Sequence, residues 1–243
     1  MKFKAFLKKI NEWDQRVILK YNGIGGKPVK YLLKFVSFFG RETLWISLIM
    51  FYLFIWYDPF LLSYLSATFL IGLLLIAIIK RVVNRPRPFE KLTSDMLIVL
   101  EKEPASRSFP SWHSYNATAF GLLIGLYFLK SPIITVLLLI LAFLISFSRI
   151  HLGVHYPSDV IFGTFMGIFG FILSIYLIAP GFQVVLAYFE QLSIFEIEYY
   201  QINSMIFNNA WYLLLCILIF CLILLSAVYK IIKGYFKKVA REI

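Results

Sequence analysis

Long apolar stretches constrain this chain more than any other feature of its sequence. A helix needs roughly 20 mostly apolar residues to cross the hydrocarbon core of a bilayer. Six stretches approach that length, and the short first and third extend into their flanking turns: 42–57, 60–79, 114–129, 132–149, 159–179 and 208–229. Only 15% of the residues are charged, against about a quarter in soluble domains. The sequence therefore predicts an all-α, polytopic transmembrane helical bundle of about six spans in a cell membrane.

The first twenty residues have a different pattern, in which basic residues stand between apolar residues at helical spacing. The apolar residues are Phe3, Phe6, Leu7, Ile10, Trp13, Val17 and Ile18, and the basic ones are Lys2, Lys4, Lys8, Lys9 and Arg16. This pattern is typical of an amphipathic helix that lies in the membrane interface. A second amphipathic segment at about 28–39 leads into the first span. We therefore divide the chain into interfacial segments at 1–40, a transmembrane core at 41–180, and a surface connection with a final span and basic tail at 181–243.

The formal net charge of +11 raises the question of a nucleic-acid partner. The basic residues flank apolar spans, however, where anionic lipid headgroups and topology signals account for them. The sequence thus predicts a lipid bilayer as the partner, and no nucleic acid. Its composition leaves the oligomeric state open.

Three polar tracts interrupt the apolar pattern, at Lys80–Pro88, Ser106–Ser114 and Ser148–Asp159. The first two share the loop between the second and third spans, and the third tract joins the fourth and fifth. Because two spans separate them, all three tracts emerge on one side of the membrane. The three histidines of the chain lie here: His113, His151 and His155. Lys80, Arg87, Arg107 and Arg149 accompany them, a set of charges that suits an anionic, phosphorylated substrate.

Proline begins two of the predicted helices beside these tracts. Pro110 precedes the third span, so the backbone amides of Ser111, Trp112 and His113 are expected to be free at a helix N-terminus, where anions bind readily. Asp159 falls in the first turn of the fifth span, four residues after His155. It could accept a hydrogen bond from one ring nitrogen and leave the other nitrogen free to attack.

The tracts resemble the signatures of the type 2 phosphatidic acid phosphatase (PAP2) family, which is related to the vanadium haloperoxidases. Those signatures read K-x6-R-P, P-S-G-H and S-R-x5-H-x3-D. This sequence has Lys80 with Arg87-Pro88, then Pro110-Ser111-Trp112-His113, then Ser148-Arg149 with His155 and Asp159. The resemblance covers about residues 40–180, and Trp112 departs from it by replacing the usual glycine.

The resemblance implies a role for each matching residue. His155 would be the nucleophile that forms a phosphohistidine, Asp159 would orient it, and His113 would protonate the leaving alkoxide. The phosphoryl oxygens would be held by Lys80, Arg87, Ser111, the amide of Trp112, and Arg149. No metal or other cofactor is implied. The indole of Trp112 would add bulk near the phosphate and affect substrate preference.

Several neighbouring residues receive other interpretations. His151 and His155 are four residues apart, but Gly153 and Pro157 argue against the continuous helix that a paired metal site would use. His151 is therefore expected to be structural. Arg85 and Arg107 are interpreted as headgroup contacts or solvated charges. Three glycines in the fifth span are expected to allow close helix packing: Gly163, Gly167 and Gly170.

The distribution of charge bears on which face of the membrane carries the tracts. With six spans, every Lys and Arg except Lys130 falls on the side of the tracts, including the tail residues Lys230, Lys233, Lys237, Lys238 and Arg241. The connection at 180–207 on the other side has Glu190, Glu196 and Glu198 and is expected to lie against the bilayer surface. The positive-inside rule then favours a cytoplasmic site. Many members of the resembled family instead have an outer site and three spans before the first motif.

These observations predict a metal-independent phosphatase acting on a phosphorylated membrane lipid. Phosphatidate or phosphatidylglycerophosphate would suit a cytoplasmic site, and undecaprenyl pyrophosphate or a lipid A phosphate would suit an outer one. A lipid-to-lipid phosphotransferase is a second enzymatic hypothesis. A transporter is disfavoured, because the charges collect at the ends of spans and not within them.

Overall fold

The computed structural model describes residues 2–93, 95–101, 104–194 and 197–242, with side chains from Lys4 to Ser226 and at Tyr229. The side chains of several residues used above lie outside the described residues: Lys2, Phe3, Glu196, Lys230, Lys233, Lys237, Lys238 and Arg241. The interfacial and topological interpretations of those side chains stay predictions.

The described ranges form helices, and they contain one isolated β-bridge, between Trp56 and Ile202, and no strand. The helices are α1 (Lys2–Tyr21), α2 (Gly26–Phe38), α3 (Glu42–Phe54), α4 (Pro59–Val83), α5 (Pro88–Lys91), α6 (Trp112–Leu122), α7 (Pro132–His151), α8 (Pro157–Leu173), α9 (Ala179–Gln191), α10 (Met205–Asn208) and α11 (Ala210–Glu242). Two π-helical segments, Leu123–Phe128 and Ser174–Ile178, follow α6 and α8. The predicted all-α class is confirmed.

Four helical segments in the described part of the chain are long and apolar enough to cross a bilayer: Gly26–Phe54, Pro59–Lys91, Pro132–His151 and Pro157–Gln191. They overlap four of the predicted spans, and Ala210–Ser226 is a shorter apolar helix within the sixth. The protein is a multi-pass membrane protein, and the count of about six spans stays a prediction. The helix from Pro157 runs to Gln191, so the connection expected from residue 180 begins as helix.

Backbone contacts group the chain into two compact units. One contains the residues up to Arg41 together with Thr68–Leu173, and the other contains Glu42–Ala67 together with the residues from Ser174 onward. All three polar tracts belong to the first unit. In the second unit, the Tyr212 hydroxyl donates to the Phe54 carbonyl at 2.7 Å, and the Tyr57 hydroxyl donates to Glu190 at 2.7 Å. The division at 1–40, 41–180 and 181–243 stays a prediction.

Helix α6 lies at the centre of the first unit, where it packs against α7 and α8. Glycines of α8 permit the close approach: a Cβ atom at Gly163 would lie 2.5 Å from the Ser111 carbonyl oxygen, and one at Gly167 would lie 2.8 Å from the Tyr115 carbonyl oxygen. At Gly170 a Cβ would overlap the Tyr115 side chain. The expectation of close packing at these glycines is confirmed. The contact brings together the N-terminal ends of α6 and α8, which carry the second and third tracts.

Candidate active site

The structure brings the three polar tracts together at the ends of helices in the first unit. Lys80 lies in the last turn of α4, and Arg87 immediately precedes α5. Arg149 lies in the last turn of α7, and Asp159 lies in the first turn of α8. His155 occupies the turn between these two helices, where the chain reverses at Gly153 with a φ of 76°. A glycine suits that left-handed conformation because it has no Cβ atom.

His155 is buried between a cation and a carboxylate, with only 2% of its surface exposed. Its Nε2 atom lies 3.2 Å from Nη1 of Arg87, and its Nδ1 atom lies 3.4 Å from Oδ2 of Asp159. The second contact is an ion-pair distance without a hydrogen bond. Burial lowers the pKa of His155 well below its ordinary value, and the charges of Arg87, Lys80 and Arg149 lower it further. The imidazole is therefore neutral near pH 7 and retains a lone pair.

The carboxylate of Asp159 is completely buried and held from both ends. Its Oδ2 atom accepts hydrogen bonds from the Tyr156 amide at 2.9 Å and from the Ser108 hydroxyl. Its Oδ1 atom accepts from Nη1 of Arg85 at 2.7 Å. A buried carboxylate is costly unless it is paired and hydrogen-bonded. These donors satisfy that requirement and fix the oxygen that faces His155.

Arg87 joins the loop before α6 to the turn before α8. Its Nε atom donates to the Ser106 carbonyl at 2.6 Å, and Nη1 donates to the Val154 carbonyl at 2.7 Å. Its Nη2 atom donates to the Ser106 hydroxyl at 3.1 Å and to the Arg107 carbonyl at 3.5 Å. Each of the five N–H donors of this guanidinium thus has a neighbour. The two longest contacts, from Nη1 to Nε2 of His155 and from Nη2 to the Arg107 carbonyl, are those that a bound anion could replace.

Arg149 is held by neighbours that keep part of its guanidinium available. Its Nη1 atom donates to the Ser37 hydroxyl and to Oε2 of Glu101, both at 2.6 Å. Arg41 donates to the other oxygen of Glu101 at 3.1 Å. Burial favours a higher pKa for Glu101, but Arg149 and Arg41 outweigh it and hold the pKa below its ordinary value. The Nε atom of Arg149 is buried and has no hydrogen-bond partner among the described residues.

His113 lies in the first turn of α6, just before the predicted third span. Its Nε2 atom is also buried without a hydrogen-bond partner in the described ranges. Burial lowers the pKa of His113 well below its ordinary value, and Arg149, His155, Arg41 and Arg87 lower it further, in that order. The two histidines therefore share one electropositive cluster.

Comparison with known proteins identifies the family of this chain. Residues 59–182 match the PAP2 superfamily. An undecaprenyl-diphosphatase from Sulfolobus acidocaldarius is 31% identical over 165 residues, which cover 68% of this chain and 77% of that protein. The chain belongs to the PAP2 superfamily. The resemblance inferred from the three signatures is confirmed.

Two further proteins extend the comparison. A lipid A 4'-phosphatase from Bacteroides thetaiotaomicron is 29% identical over 173 residues, covering 66% of this chain and 75% of that protein. The crystal structure of LpxE from Aquifex aeolicus has a TM-score of 0.58 and 24% identity, covering 66% of this chain and 93% of that one. The solved structure shows that the two chains share a fold.

The start of α6 differs in part from the expectation based on Pro110 at the start of the helix. The Ser111 amide donates to the Asp159 carbonyl at 3.0 Å, so the prediction that this amide is free was wrong. The Ser111 hydroxyl caps the helix by accepting from the amide of Ser114 at 3.4 Å. The indole of Trp112 stacks on Tyr115 with ring centroids 5.6 Å apart, and it meets the edge of Phe69 at 5.7 Å. Trp112 therefore packs onto α4 and α6 in the first unit.

Arg85 was wrongly interpreted as a headgroup contact or a solvated charge. Its side chain is 17% exposed and forms ion pairs with Asp159 at 2.7 Å and with Asp14 of α1 at 2.6 Å. Its guanidinium also lies over the Tyr156 ring, 4.2 Å from the centroid. Sequence reasoning missed Arg85, Asp14, Ser108 and Glu101 as neighbours of the PAP2 residues. Asp14 alone left a signal, since it lies on the same helix face as Ile10 and Ile18.

The remaining polar residues of the tracts have simpler contacts. Nε2 of His151 lies 2.8 Å from the Ile24 carbonyl oxygen, which supports the predicted structural role by joining α7 to the turn after α1. Arg107 is exposed and pairs with Glu90 at 3.2 Å, as expected of a solvated charge. The Lys80 ammonium donates to the Arg107 carbonyl. Lys80 therefore reaches from α4 to the loop before α6.

Proposed function

We propose that this PAP2 protein is a metal-independent phosphatase of a phosphorylated membrane lipid, and that it works through a phosphohistidine at His155. One observation carries the proposal: a buried, neutral imidazole has Arg87 at its Nε2 atom and Asp159 at its Nδ1 atom. A nucleophile needs a lone pair, a group that orients it, and cations that stabilise the developing charge. These three requirements meet at His155.

In the first step, the lone pair on Nε2 of His155 attacks phosphorus, and the bond from phosphorus to the lipid oxygen breaks. The Nδ1–H group of His155 donates to Asp159, whose carboxylate stabilises the positive charge that the ring acquires. The leaving oxygen takes a proton from His113. Lys80, Arg87 and Arg149 act on the phosphoryl oxygens, with the Trp112 amide at the start of α6 and the Ser111 hydroxyl nearby.

In the second step, water attacks phosphorus and the bond to Nε2 breaks, which releases inorganic phosphate. His113 accepts the proton of that water and so returns to its protonated form. The pKa of His113 is low in the free protein, and a bound phosphate dianion would raise it by offsetting the neighbouring cations. His113 therefore becomes an acid when substrate is present.

The substrate class is supported by two different observations. The Sulfolobus acidocaldarius and Bacteroides thetaiotaomicron relatives are described as acting on undecaprenyl diphosphate and on lipid A, which supports a polyisoprenyl diphosphate or a lipid A phosphate. The basic residues on the side of the tracts support a cytoplasmic site, and with it phosphatidate or phosphatidylglycerophosphate. We propose the cytoplasmic face. Reporter fusions at residues 1, 130 and 243 test it, and a reporter at 130 that is active only in the cytoplasm contradicts it.

The activity is tested with purified, detergent-solubilised full-length protein in the presence of EDTA. Phosphatidate, phosphatidylglycerophosphate, undecaprenyl diphosphate and lipid A are each supplied in mixed micelles, and released phosphate is measured. We expect one class to be hydrolysed and His155→Ala to abolish the release. His151→Gln is the matched control, because it changes the neighbouring histidine of the same tract and should retain activity.

Two results would contradict this proposal. Full activity in folded His155→Ala would refute the mechanism, and activity that EDTA removes and a divalent metal restores would refute metal independence. Transfer of labelled phosphate to a second lipid instead of to water would indicate a phosphotransferase.

A further inference from the structure

Asp14 is a carboxylate buried behind the proposed site, on a helix that the PAP2 match does not include. The match begins at residue 59, whereas Asp14 lies in α1 and has no exposed surface. Its Oδ1 atom accepts from the Ser158 amide at 2.9 Å. Its Oδ2 atom accepts from the Ser158 hydroxyl and from Nη2 of Arg85, both at 2.6 Å. A carboxylate with these three donors is held in one orientation.

Arg85 connects this carboxylate to the one that faces His155. Its Nη2 atom contacts Asp14, and its Nη1 atom donates to Asp159 and to the Ser158 hydroxyl, each at 2.7 Å. The planar guanidinium suits this task, because its donors project in fixed directions. Arg85 thus holds Oδ1 of Asp159, while Oδ2 of Asp159 lies 3.4 Å from Nδ1 of His155.

The charges along this connection bear on the proposed chemistry. Asp14 and Asp159 each carry one negative charge and share the positive charge of Arg85, which leaves a net negative charge behind His155. Phosphorylation at Nε2 makes the imidazole ring positive when Nδ1 retains its proton. Without the charge of Asp14, Arg85 would neutralise Asp159 more completely and weaken its attraction for that ring.

We propose that Asp14 is a positioning residue for the reaction, acting through Arg85 and Ser158 to fix Asp159 and thereby His155. This inference rests on the proposed phosphatase function. It makes the N-terminal helix part of the reaction machinery. Asp14 lies beside Trp13, which is exposed, so the helix predicted to lie in the membrane interface would also support the site.

Steady-state kinetics of Asp14→Asn test the proposal, on the lipid that the wild-type protein hydrolyses fastest. The replacement keeps the size of the side chain and removes its charge. We expect kcat to fall about tenfold, the size of effect produced by changing a residue behind a catalytic ligand, while KM stays within about twofold because no phosphate contact is lost. A role in stability alone would lower the melting temperature and leave kcat per folded molecule unchanged.

Matched controls test whether the effect is specific to the bridge from Asp14 through Arg85 to Asp159. Asn11 accepts from Nη2 of the same Arg85 at 3.2 Å on the exposed side, and Asn11→Ala should keep the wild-type kcat. Glu12→Gln removes an exposed carboxylate of the same helix and should do likewise. The double variant Asp14→Asn/Arg85→Gln should lose no more kcat than Arg85→Gln, since both changes break one bridge.

The outcomes also distinguish this inference from the function on which it rests. If His155→Ala is inactive and folded Asp14→Asn keeps the wild-type kcat, the inference is overturned and the phosphatase function stands. A wild-type protein that releases no phosphate overturns both. Should Asp14→Asn fail to fold, Arg85→Lys retains the charge but cannot contact both carboxylates. It should show the same loss of kcat, and an unchanged kcat would overturn the inference.

Discussion

The two sides of His155 differ in how completely their polar groups are satisfied. On the Asp159 side, formed by Asp159, Arg85, Asp14 and Ser158, every carboxylate oxygen accepts at least one hydrogen bond. On the Arg149 side, formed by Arg149, His113 and Glu101, the Nε atom of Arg149 and the Nε2 atom of His113 are buried without a partner in the described residues. The carboxylate oxygens of the Asp159 side are therefore satisfied within the protein. The Arg149 side presents nitrogen atoms that a phosphorylated ligand can engage.

Burying a polar atom without a hydrogen-bond partner has a cost in free energy, and this cost distinguishes the two sides. A buried polar atom without a partner costs about 1–3 kcal/mol, and such atoms are uncommon in native structures. On the Arg149 side two such atoms lie in the electropositive cluster that contains His155, and we propose that a phosphoryl group binds there. The hydrogen bonds on the opposite side fix the carboxylate that faces His155. We therefore propose that the Asp159 side orients His155 and that the Arg149 side contacts the substrate.

Among the variants of the two sides, Asp159→Asn should reduce activity most. The amide removes the negative charge that faces Nδ1 of His155 and brings an N–H group into a network of donors, so the positive charge of a phosphorylated ring would no longer be stabilised. We expect kcat to fall by about 10³-fold or more, by analogy with the loss of a carboxylate that orients a catalytic histidine. KM should change little. Phosphate release from the preferred lipid measures both constants.

A control for this variant is Glu90→Gln, which removes a carboxylate that is paired with exposed Arg107. It should leave kcat within about twofold of the wild-type value, as is usual for surface positions. A large rise in KM in folded Asp159→Asn would mean that Asp159 contributes to binding the substrate. The distinction between the two sides would then be wrong.

A smaller effect is expected on the acidic limb of the pH profile when one of the cations near His155 is removed. His155 must be neutral to attack, so activity is lost as pH falls through its pKa. Burial, Arg87, Lys80 and Arg149 hold that pKa well below 6.5, which places the limb of kcat/KM below this value. Lys80→Gln removes one positive charge and should raise the pKa of His155. The limb should therefore move toward higher pH.

The wild-type protein and Lys80→Gln are compared on the same substrate, so that the ionisation of the substrate contributes equally to both pH profiles. Arg107→Gln is the matched control: Arg107 is another cation of the same tracts, but it is exposed and paired with Glu90. Its limb should coincide with that of the wild type. A limb that stays in place in Lys80→Gln would show that this ammonium does not act on His155.

The site could be predicted from the sequence where its residues follow the ends of helices at fixed spacing. Hydropathy locates the spans, and crossing counts place on one side the polar tracts that contain Lys80, Arg87, His113, Arg149 and Asp159. The resemblance to the PAP2 signatures supplied the roles of these residues, which stay predictions. His155 and Asp159 are only four residues apart, in the turn before α8 and in the first turn of that helix. Contacts between residues so close in sequence can be predicted from a single chain.

The Asp159 side depends on contacts between distant parts of the chain, which spacing does not reveal. Asp14 and Arg85 are separated by 71 positions, and each has a simpler explanation in its own segment: a solvated helix charge and a headgroup contact. The Ser111 amide was expected to be free because the sequence does not show that the Asp159 carbonyl lies opposite it. Pro180 and Gly181 follow the apolar stretch in the sequence and are typical of a turn, yet the helix continues to Gln191.

Identifying the phosphorylated residue tests most directly whether His155 is the nucleophile. Wild-type protein is mixed with ³²P-labelled lipid, quenched within one turnover under alkaline conditions, digested and analysed by mass spectrometry. We predict an acid-labile, base-stable phosphoryl group on His155, absent from His155→Ala and present in the His151→Gln control. Label on another residue, or a burst of phosphate release without any labelled protein, would contradict the central claim that His155 is the nucleophile.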